Sequence, residues 1–263
     1  MGSAPLATRL DLARRIAIQA GKLTLEHFQA QDLAVEWKQD HSPVTVADRR
    51  AEQLLRDQIS AAFPSDAILG EEFPERAGNS GWRWILDPID GTKSFIRGVP
   101  LYGTLVGLEH ERDSLAGVVY IPALDECIYA ARGEGAWHSI TGSVPKRARV
   151  SANTELGQAL LCASDTRADD PAKREAYTRL QSAVGVSRTW GDCYGYLLVA
   201  TGRAEIMLDP IMNVWDAAAV APIVTEAGGT FTDWKGRSTI YEGEGMATNG
   251  QLLEPVLAIV RGN

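Results

Sequence analysis

Cysteine and histidine are scarce in this sequence, with three and four copies among 263 residues. The cysteines, Cys127, Cys162 and Cys193, are odd in number and far apart, and neither a Cys-x-x-Cys pair nor a histidine-rich spacing accompanies them. This pattern argues against a zinc-type site and a cysteine nucleophile, and it predicts buried thiols. The histidines are isolated in sequence, so we do not expect a catalytic histidine either.

A surplus of basic residues and long apolar runs are also missing. The formal net charge is −8, whereas binding a nucleic acid polymer requires a lysine- and arginine-rich surface, so we expect no nucleic acid partner. Charge or glycine interrupts each apolar run before it reaches the length that a bilayer needs. Charged residues near the N-terminus leave no apolar block of a signal peptide. We therefore expect a cytoplasmic protein with no membrane partner.

The chain has no internal repeat, low-complexity tract or long linker, and its 45% hydrophobic content suffices for a full core. Apolar residues at helical spacing predict two helices, around residues 6–23 and 54–62. An antiparallel meander and then alternating strands and helices follow. We expect an α+β lobe with the metal motifs at 1–150 and an α/β lobe at 151–263, forming one compact unit. The predicted meander strands are 101–108, 116–121, 127–131 and 136–138, and the later elements are 159–163, 171–183, 186–189, 194–201, 204–208, 215–227 and 229–233.

Two carboxylates, a proline, a glycine and a hydroxyl follow the apolar strand at residues 84–86. Side chains alternate along a strand, so Asp87 and Asp90 can converge only if the chain leaves the strand at Pro88 and turns. A helix starting at Gly91 and Thr92 would direct free N–H groups at a phosphate. Carboxylates and phosphate need a divalent cation between them, and oxygen ligands favour Mg²⁺. An ordinary Asp-Pro and Asp-Gly turn is the alternative.

Acidic residues also occur at two other element ends. Glu71 and Glu72 follow the apolar stretch 67–69, and Asp216 stands at the head of the amphipathic run 217–227. Three separate segments thus offer hard oxygen ligands, which favours a metal and phosphate site over an isolated turn.

Three motifs together resemble the inositol monophosphatase superfamily of Mg²⁺-dependent phosphomonoesterases. They are Gly-Glu-Glu at 70–72, Asp-Pro-Ile-Asp-Gly-Thr at 87–92 and Trp-Asp-Ala-Ala at 215–218. The resemblance spans nearly the whole chain, and residues 189–196 and 212–216 look most like the histidinol-phosphatase branch. It implies a fold of the α/β (α+β) class, a layered α/β/α/β/α sandwich.

The resemblance also implies a role for each acidic residue. Asp87 should bridge two Mg²⁺ ions, Glu71 and the carbonyl of Ile89 should complete the first, and Asp90 with Asp216 should hold the second. A third, weaker ion would share Glu71, so we expect two or three ions.

The resemblance assigns the catalytic role to Glu71, Thr92 and Asp48. Thr92 would orient the attacking water and be polarised by Asp48, while a basic residue, here Lys38, would lie near the mouth of the site. Without the resemblance, Asp48 would be the N-cap of a helix at 49–63.

The expected substrate wall is acidic. Gly91 and Thr92 would hold the phosphate, and Asp192 and Asp209 would face the rest of the substrate. An ammonium group on a partly buried carboxylate gains about 1.5–3 kcal/mol, enough for tenfold preference, so two aspartates suit histidinol phosphate better than a polyol phosphate. The alternative for Asp192 is a helix N-cap before 193–201. Arg188 would orient the substrate or close a contact in the expected homodimer.

Three functions remain open from the sequence. The first is hydrolysis of L-histidinol phosphate, and the second is hydrolysis of inositol-1-phosphate or of a broad set of sugar phosphates. The third is a catalytically silent module that binds metal and phosphate, which is disfavoured because every motif residue is retained. A bisphosphate substrate would need a basic cluster that the motifs lack.

Overall fold

The computed structural model describes residues 5–166 and 170–262. Its helices and strands form two main sheets and three helical layers, with one additional two-stranded hairpin. The described helices are α1 (Leu6–Thr24), α2 (Val46–Ala62), α3 (Thr92–Phe95), α4 (Pro171–Ala183), α5 (Asp192–Ala200), α6 (Val214–Glu226) and α7 (Leu253–Arg261). The described strands are β1 (Val35–Trp37), β2 (Pro43–Thr45), β3 (Ala67–Gly70), β4 (Trp82–Asp90), β5 (Gly103–His110), β6 (Asp113–Ile121), β7 (Glu126–Ala131), β8 (Gly135–Ile140), β9 (Lys146–Arg147), β10 (Leu160–Ala163), β11 (Val186–Arg188), β12 (Ile206–Asp209), β13 (Thr230–Thr232) and β14 (Gly245–Thr248).

The larger sheet has seven strands in the order β3-β4-β5-β6-β7-β8-β9. Only β3 and β4 run parallel, and every later neighbour pair is antiparallel, so the predicted meander is confirmed. The smaller sheet has the order β11-β10-β12-β14-β13, in which β11, β10 and β12 are parallel. A separate hairpin joins β1 to β2.

Helices cover both faces of each sheet, which gives the layered α/β/α/β/α sandwich expected from the sequence. Along β4, Trp84 and Leu86 pack against α1 and α2, whereas Ile85 points to the opposite face and packs against α5 and α6. The helices α4 and α7 cover the outer face of the smaller sheet. Because strands in the larger sheet are buried on both faces, they read as continuous apolar runs rather than as alternation.

Helix α6 lies very close to the larger sheet because two paired glycines face it. Gly107 on β5 is opposite Gly117 on β6. A Cβ atom on Gly107 would lie 2.7 Å from the Cβ of Ala218, and one on Gly117 would overlap the backbone of Ala219. The sheet therefore fixes the depth at which α6 packs, and with it the position of Asp216 in its first turn.

A proline inside α6 leaves one backbone carbonyl without its helical donor. Pro222 has no N–H to bond the carbonyl of Ala218 four residues earlier. The Ser114 hydroxyl on β6 donates to that carbonyl at 2.8 Å. The helix and the sheet are thus joined by a part-buried hydrogen bond as well as by packing.

The end of the chain departs from the sequence-based expectation. The predicted elements stop at residue 233, whereas β14 and α7 lie beyond it, and β14 pairs between β12 and β13. The division into lobes at residue 150 stays a prediction, and α5 and α6 of the second half pack against the first sheet. Among the described helices, none has the length and apolar character needed to cross a membrane.

Replacement of Gly117 by alanine should destabilise the fold, because the added methyl group meets rigid backbone of α6. We expect Gly117→Ala to lower the free energy of unfolding by about 1–3 kcal/mol, measured by urea denaturation. Gly157→Ala is the matched control, since its methyl group would meet open space. Equal stability of the two variants would contradict the packing of α6 described above.

Candidate active site

Three carboxylates meet where β4 ends and α6 begins. One oxygen each of Asp87, Asp90 and Asp216 lies within 4.8 Å of the other two. Strand β4 continues through Asp90 instead of turning away at Pro88, so the predicted turn is wrong. Asp87 pairs with Leu105 and Asp90 with Gly103, which leaves one extra residue on β4. This β-bulge reverses the alternation and brings both aspartates to the same face.

Backbone N–H groups hold each carboxylate of this cluster. Asp87 accepts from the N–H of Ile89 at 3.0 Å, and Asp90 accepts from the N–H of Cys193 at 2.5 Å. Asp216 accepts from the N–H of Asn213 at 2.6 Å, in a capping box that begins α6. The acidic side chains are therefore positioned before any ligand arrives.

Burial and mutual repulsion disfavour the ionised forms of the cluster. Burial first, and then the charges of Glu71, Asp90 and Asp216, raise the pKa of Asp87 well above its usual range. Burial and the charges of Asp192 and Asp216 do the same for Asp90, and burial raises the pKa of Asp216 to about 6. A set of closely spaced carboxylate oxygens with raised pKa values fits a hard divalent cation, which would supply the missing positive charge.

Glu71 lies just after β3 and is bound by a lysine. The Lys38 Nζ atom lies 2.7 Å from Glu71 and 2.6 Å from Glu72. Burial alone would lower the pKa of Lys38, but these two ion pairs raise it above its ordinary value. Burial raises the pKa of Glu71 despite Lys38. Neither Glu72 nor the buried Glu52 has a role predicted from the sequence. The Glu52 carboxylate accepts from the N–H of Glu72 at 2.7 Å and fixes this loop.

Asp48 and Thr92 lie beside the carboxylate cluster. The N-cap of α2 is Thr45, not Asp48, so the predicted capping role is wrong by three positions. Asp48 completes a capping box by accepting from Thr45 N–H at 2.7 Å and Oγ1 at 2.6 Å. Its second oxygen lies 3.5 Å from Thr92 Oγ1, which donates at 3.0 Å to the Ile89 carbonyl. Burial raises the pKa of Asp48 to about 6. The Thr-x-x-Asp spacing is the sequence signal that identifies Thr45.

A cavity of about 530 Å³ opens next to the cluster. Its wall includes Asp90 and Asp216 of the cluster, the predicted residues Asp192 and Asp209, and the basic residue Lys93. Other lining residues include Ser164, Asp165, Thr166, Tyr196 and Met212. Tyr196 and Met212 lie in the segments 189–196 and 212–216 that carry the family resemblance, whereas no sequence motif marks Ser164, Asp165 and Thr166.

In this wall Asp209 is buried and Asp192 is half-buried. Asp192 is the first residue of α5, at φ +52°, and Gly191 is the N-cap, so the predicted capping role of Asp192 is wrong. Burial raises the pKa of Asp192 to about 6 and that of Asp209 well above its usual range. Asp209 accepts from the Ser164 hydroxyl, and the Tyr196 hydroxyl lies 3.5 Å from its other oxygen.

Of the remaining predicted substrate residues, Gly91 lies at the start of α3 and Arg188 lies on the outer surface. Gly91 has φ +86°, and a Cβ atom there would lie 3.0 Å from an Asp192 carboxylate oxygen, so glycine lets Asp192 approach the start of α3. Arg188 is exposed on the edge strand β11, 6.0 Å from the ring of Trp190, and is not part of the cavity wall.

Known proteins with similar sequences and structures agree with this geometry. The sequence profile of the inositol monophosphatase family matches residues 6–262. The chain belongs to the inositol monophosphatase family. A histidinol-phosphatase of Chlorobaculum parvum is 45% identical over 254 residues, which cover 97% of this chain and 96% of that protein. A histidinol-phosphatase of Mycobacterium tuberculosis is 41% identical over 249 residues, or 94% and 96% of the two chains.

The fold of the inositol monophosphatase family extends over the same length. The crystal structure of the extragenic suppressor protein suhB from Bartonella henselae superimposes with a TM-score of 0.89 at 28% identity, covering 97% of this chain and 98% of that chain. Enzymes of this family are metal-dependent hydrolases of phosphoric monoesters. The present chain is accordingly a phosphomonoesterase.

The metal-free protein should become less stable as the pH rises. Carboxyls with raised pKa values keep their protons in the folded state up to about pH 6 or above, whereas unfolded aspartates lose theirs near pH 4. These carboxyls therefore make their full contribution to the free energy of unfolding below about pH 4, and that contribution is lost as the pH rises through their folded pKa values. For Asp216 alone, whose pKa rises to about 6, the full loss is on the order of 3 kcal/mol, or several degrees in Tm.

The measurement is thermal unfolding in chelator and in Mg²⁺ at about pH 5 and 7.5. We expect a lower Tm at the higher pH in chelator, and greater stabilisation by Mg²⁺ there, because ionised carboxylates bind the cation. Asp87→Asn should reduce both effects. A Tm in chelator that rises between the two pH values would contradict this account.

Proposed function

We propose that this phosphomonoesterase hydrolyses L-histidinol phosphate to L-histidinol and phosphate, a step of histidine biosynthesis, with two or three Mg²⁺ ions. The observation that carries the proposal is the acidic cavity wall beyond the metal cluster. Asp192, which is half-buried, and Asp209, which is buried, line it in addition to the carboxylates that a metal requires. The similarity to two histidinol-phosphatases supports the same substrate. A cytoplasmic location belongs to this proposal.

Five oxygen donors would hold the metal ions: the carboxylates of Glu71, Asp87, Asp90 and Asp216, and the carbonyl of Ile89. Bound Mg²⁺ supplies neutralising charge for the phosphate and lowers the pKa of a coordinated water. The carboxylates suit this role because the described cluster consists of oxygen ligands only and has raised pKa values that a cation would lower.

The proton of the attacking water needs an acceptor from the protein. Thr92 Oγ1 stands 3.5 Å from Asp48, whose pKa of about 6 is close to that of an effective base at neutral pH. We infer that Thr92 orients the water and passes a proton toward Asp48. The Thr45 backbone and hydroxyl hold the other Asp48 oxygen, which keeps the carboxylate directed at Thr92. Glu71 provides a further acceptor, restrained by Lys38.

The phosphate and the amine of the substrate would occupy different parts of the cavity. The first N–H groups of α3, from Gly91 and Thr92, have no helical acceptor and would donate to phosphate oxygens. The ammonium would then pair with Asp192 or Asp209. Since both carboxyls have raised pKa values from burial, a cation next to them favours their charged forms. A homodimer that includes Arg188 stays a prediction.

Inositol-1-phosphate or a broader set of sugar phosphates is the second candidate. Asp209 is already bonded by the hydroxyl of Ser164, with Tyr196 nearby, so this site also accepts a neutral hydroxyl group. The two candidates differ in whether the leaving group carries positive charge. Replacing the acidic residues of the cavity wall therefore distinguishes the two candidates.

Neutralising the cavity wall should impair hydrolysis of the cationic substrate alone. We expect Asp192→Asn and Asp209→Asn each to raise KM for L-histidinol phosphate about tenfold or more, while KM for phenyl phosphate changes little. Phosphate release is the assay, and the exposed Asp57→Asn on α2 is the matched control for loss of one charge. Wild-type kcat/KM in both cavity variants, or a wild-type preference for inositol-1-phosphate, would favour the second candidate.

Loss of the Thr92–Asp48 pair should slow turnover. We expect Thr92→Ala or Asp48→Asn to lower kcat about 10²–10⁴-fold, the usual worth of general-base assistance, with a smaller change in KM. The double variant should be little worse than the slower single variant, because the two residues act as one unit. Thermal unfolding of each variant controls for the capping role of Asp48. Losses that multiply in the double variant would rule out the shared proton path.

A further inference from the structure

A second cavity, of about 270 Å³, lies away from the active site. It is bounded by the β5–β6 turn, the β7–β8 turn, the last turns of α6 and the segment 238–241. It shares no lining residue with the active-site cavity. Asp216 is in the first turn of α6 and Thr225 is nine residues further along, which places the two cavities about 14 Å apart along that helix.

The inner part of this cavity is apolar. Pro222 of α6, Phe231 of β13 and Ile240 line it and are all buried. A flat apolar group could pack on this surface and leave water. Polar side chains lie toward the outside, among them Ser238 and Thr239.

Two arginines stand at the rim. The guanidinium of Arg112 lies 4.4 Å from the ring centroid of Tyr241, and no acceptor bonds to it within residues 5–166 and 170–262. Arg132 lies 3.2 Å from Asp113, a carboxylate that is 69% exposed. An exposed ion pair of this kind contributes little, so Arg132 can exchange it for another anion. Together the arginines offer planar pairs of N–H donors that match a carboxylate.

Hydrogen bonds hold the Tyr241 ring beside which the exposed Arg112 lies. The Tyr241 hydroxyl donates to the buried Glu109, and the Tyr241 backbone N–H donates to Thr239 Oγ1 at 3.2 Å. Glu111 and Arg112 both occupy the left-handed region, at φ +51° and +69°. Non-glycine residues in this region cost on the order of 1 kcal/mol or more each. These two residues form the hairpin turn between β5 and β6, and the favoured turn of that length has a positive φ at both positions.

We propose that this cavity binds a small aromatic carboxylate, with its carboxylate on Arg112 and Arg132 and its ring on Pro222, Phe231 and Ile240. At about 270 Å³ the cavity lies just below the usual size of small-molecule sites, about 300–1,000 Å³, which suits a ligand of one ring and one carboxylate such as benzoate. Glu226 also lines the cavity, and its carboxylate accepts from the N–H groups of Gly133 and Gly135 at 2.9 and 2.8 Å, which partly offsets its negative charge. The site is independent of the proposed substrate.

The test uses the Mg²⁺-loaded full-length protein and benzoate as the probe. Backbone amide NMR shifts on titration should map to Arg112, Arg132 and Tyr241, and saturate in the millimolar range. Acetate, which lacks the ring, and benzyl alcohol, which lacks the charge, should each bind at least about tenfold more weakly.

Variants distinguish this cavity from the active site. Arg112→Gln and Arg132→Gln should each weaken benzoate binding about tenfold, and Arg112→Lys should weaken it less, because it keeps the charge but loses the planar donor pair. Lys93→Gln is the matched control, because it removes the cation of the active-site cavity and should leave benzoate affinity unchanged. Amide spectra confirm that each variant is folded.

The proposal is overturned by any of three results. The first is shifts confined to residues of the active-site cavity, and the second is unchanged affinity in both arginine variants. The third is no saturation by about 10 mM benzoate, since non-specific association alone would account for weaker binding.

Discussion

Repulsion between closely spaced carboxylates is the constraint on which the rest of this structure depends. Asp87, Asp90 and Asp216 are held with oxygens within 4.8 Å of one another, in surroundings that disfavour their ionised forms. Left alone, such groups would separate or keep their protons. The fold prevents separation, because a bulge fixes the first two and a capping box fixes the third. A divalent cation then becomes the favourable partner of the cluster.

The layers of the sandwich explain how two distant parts of the chain supply one site. Helix α6 lies between the sheets and carries Asp216 in its first turn, while Gly107 and Gly117 let its backbone approach β5 and β6. The α5 backbone reaches the same place, where the N–H of Cys193 bonds Asp90. The carboxylate cluster therefore belongs to the interface between the larger sheet and the central helices. Substrate contacts come from the loops that surround it.

Much of this arrangement follows from local sequence patterns. The meander was predictable because apolar runs and turn residues alternate along 101–140, and the acidic motifs stood at element ends. The bulge in β4 was not predictable from the sequence, because the same residues are compatible with a strand that has one extra residue and with a strand that ends in a turn. Thr45 was detectable from its capping-box spacing with Asp48. The cavity wall was only partly predictable, because Ser164, Asp165 and Lys93 meet there through tertiary packing.

The most direct test of the central claim is proton release on metal binding. Calorimetric titration of Mg²⁺ at about pH 6, in two buffers of different ionisation enthalpy, gives the number of protons lost per ion bound. Because the metal-free cluster retains protons that a cation must displace, the account predicts net release from the wild-type protein and weaker binding with less release from Asp87→Asn. Binding without proton release, or equal affinity in the two proteins, would contradict a cation site formed by these carboxylates.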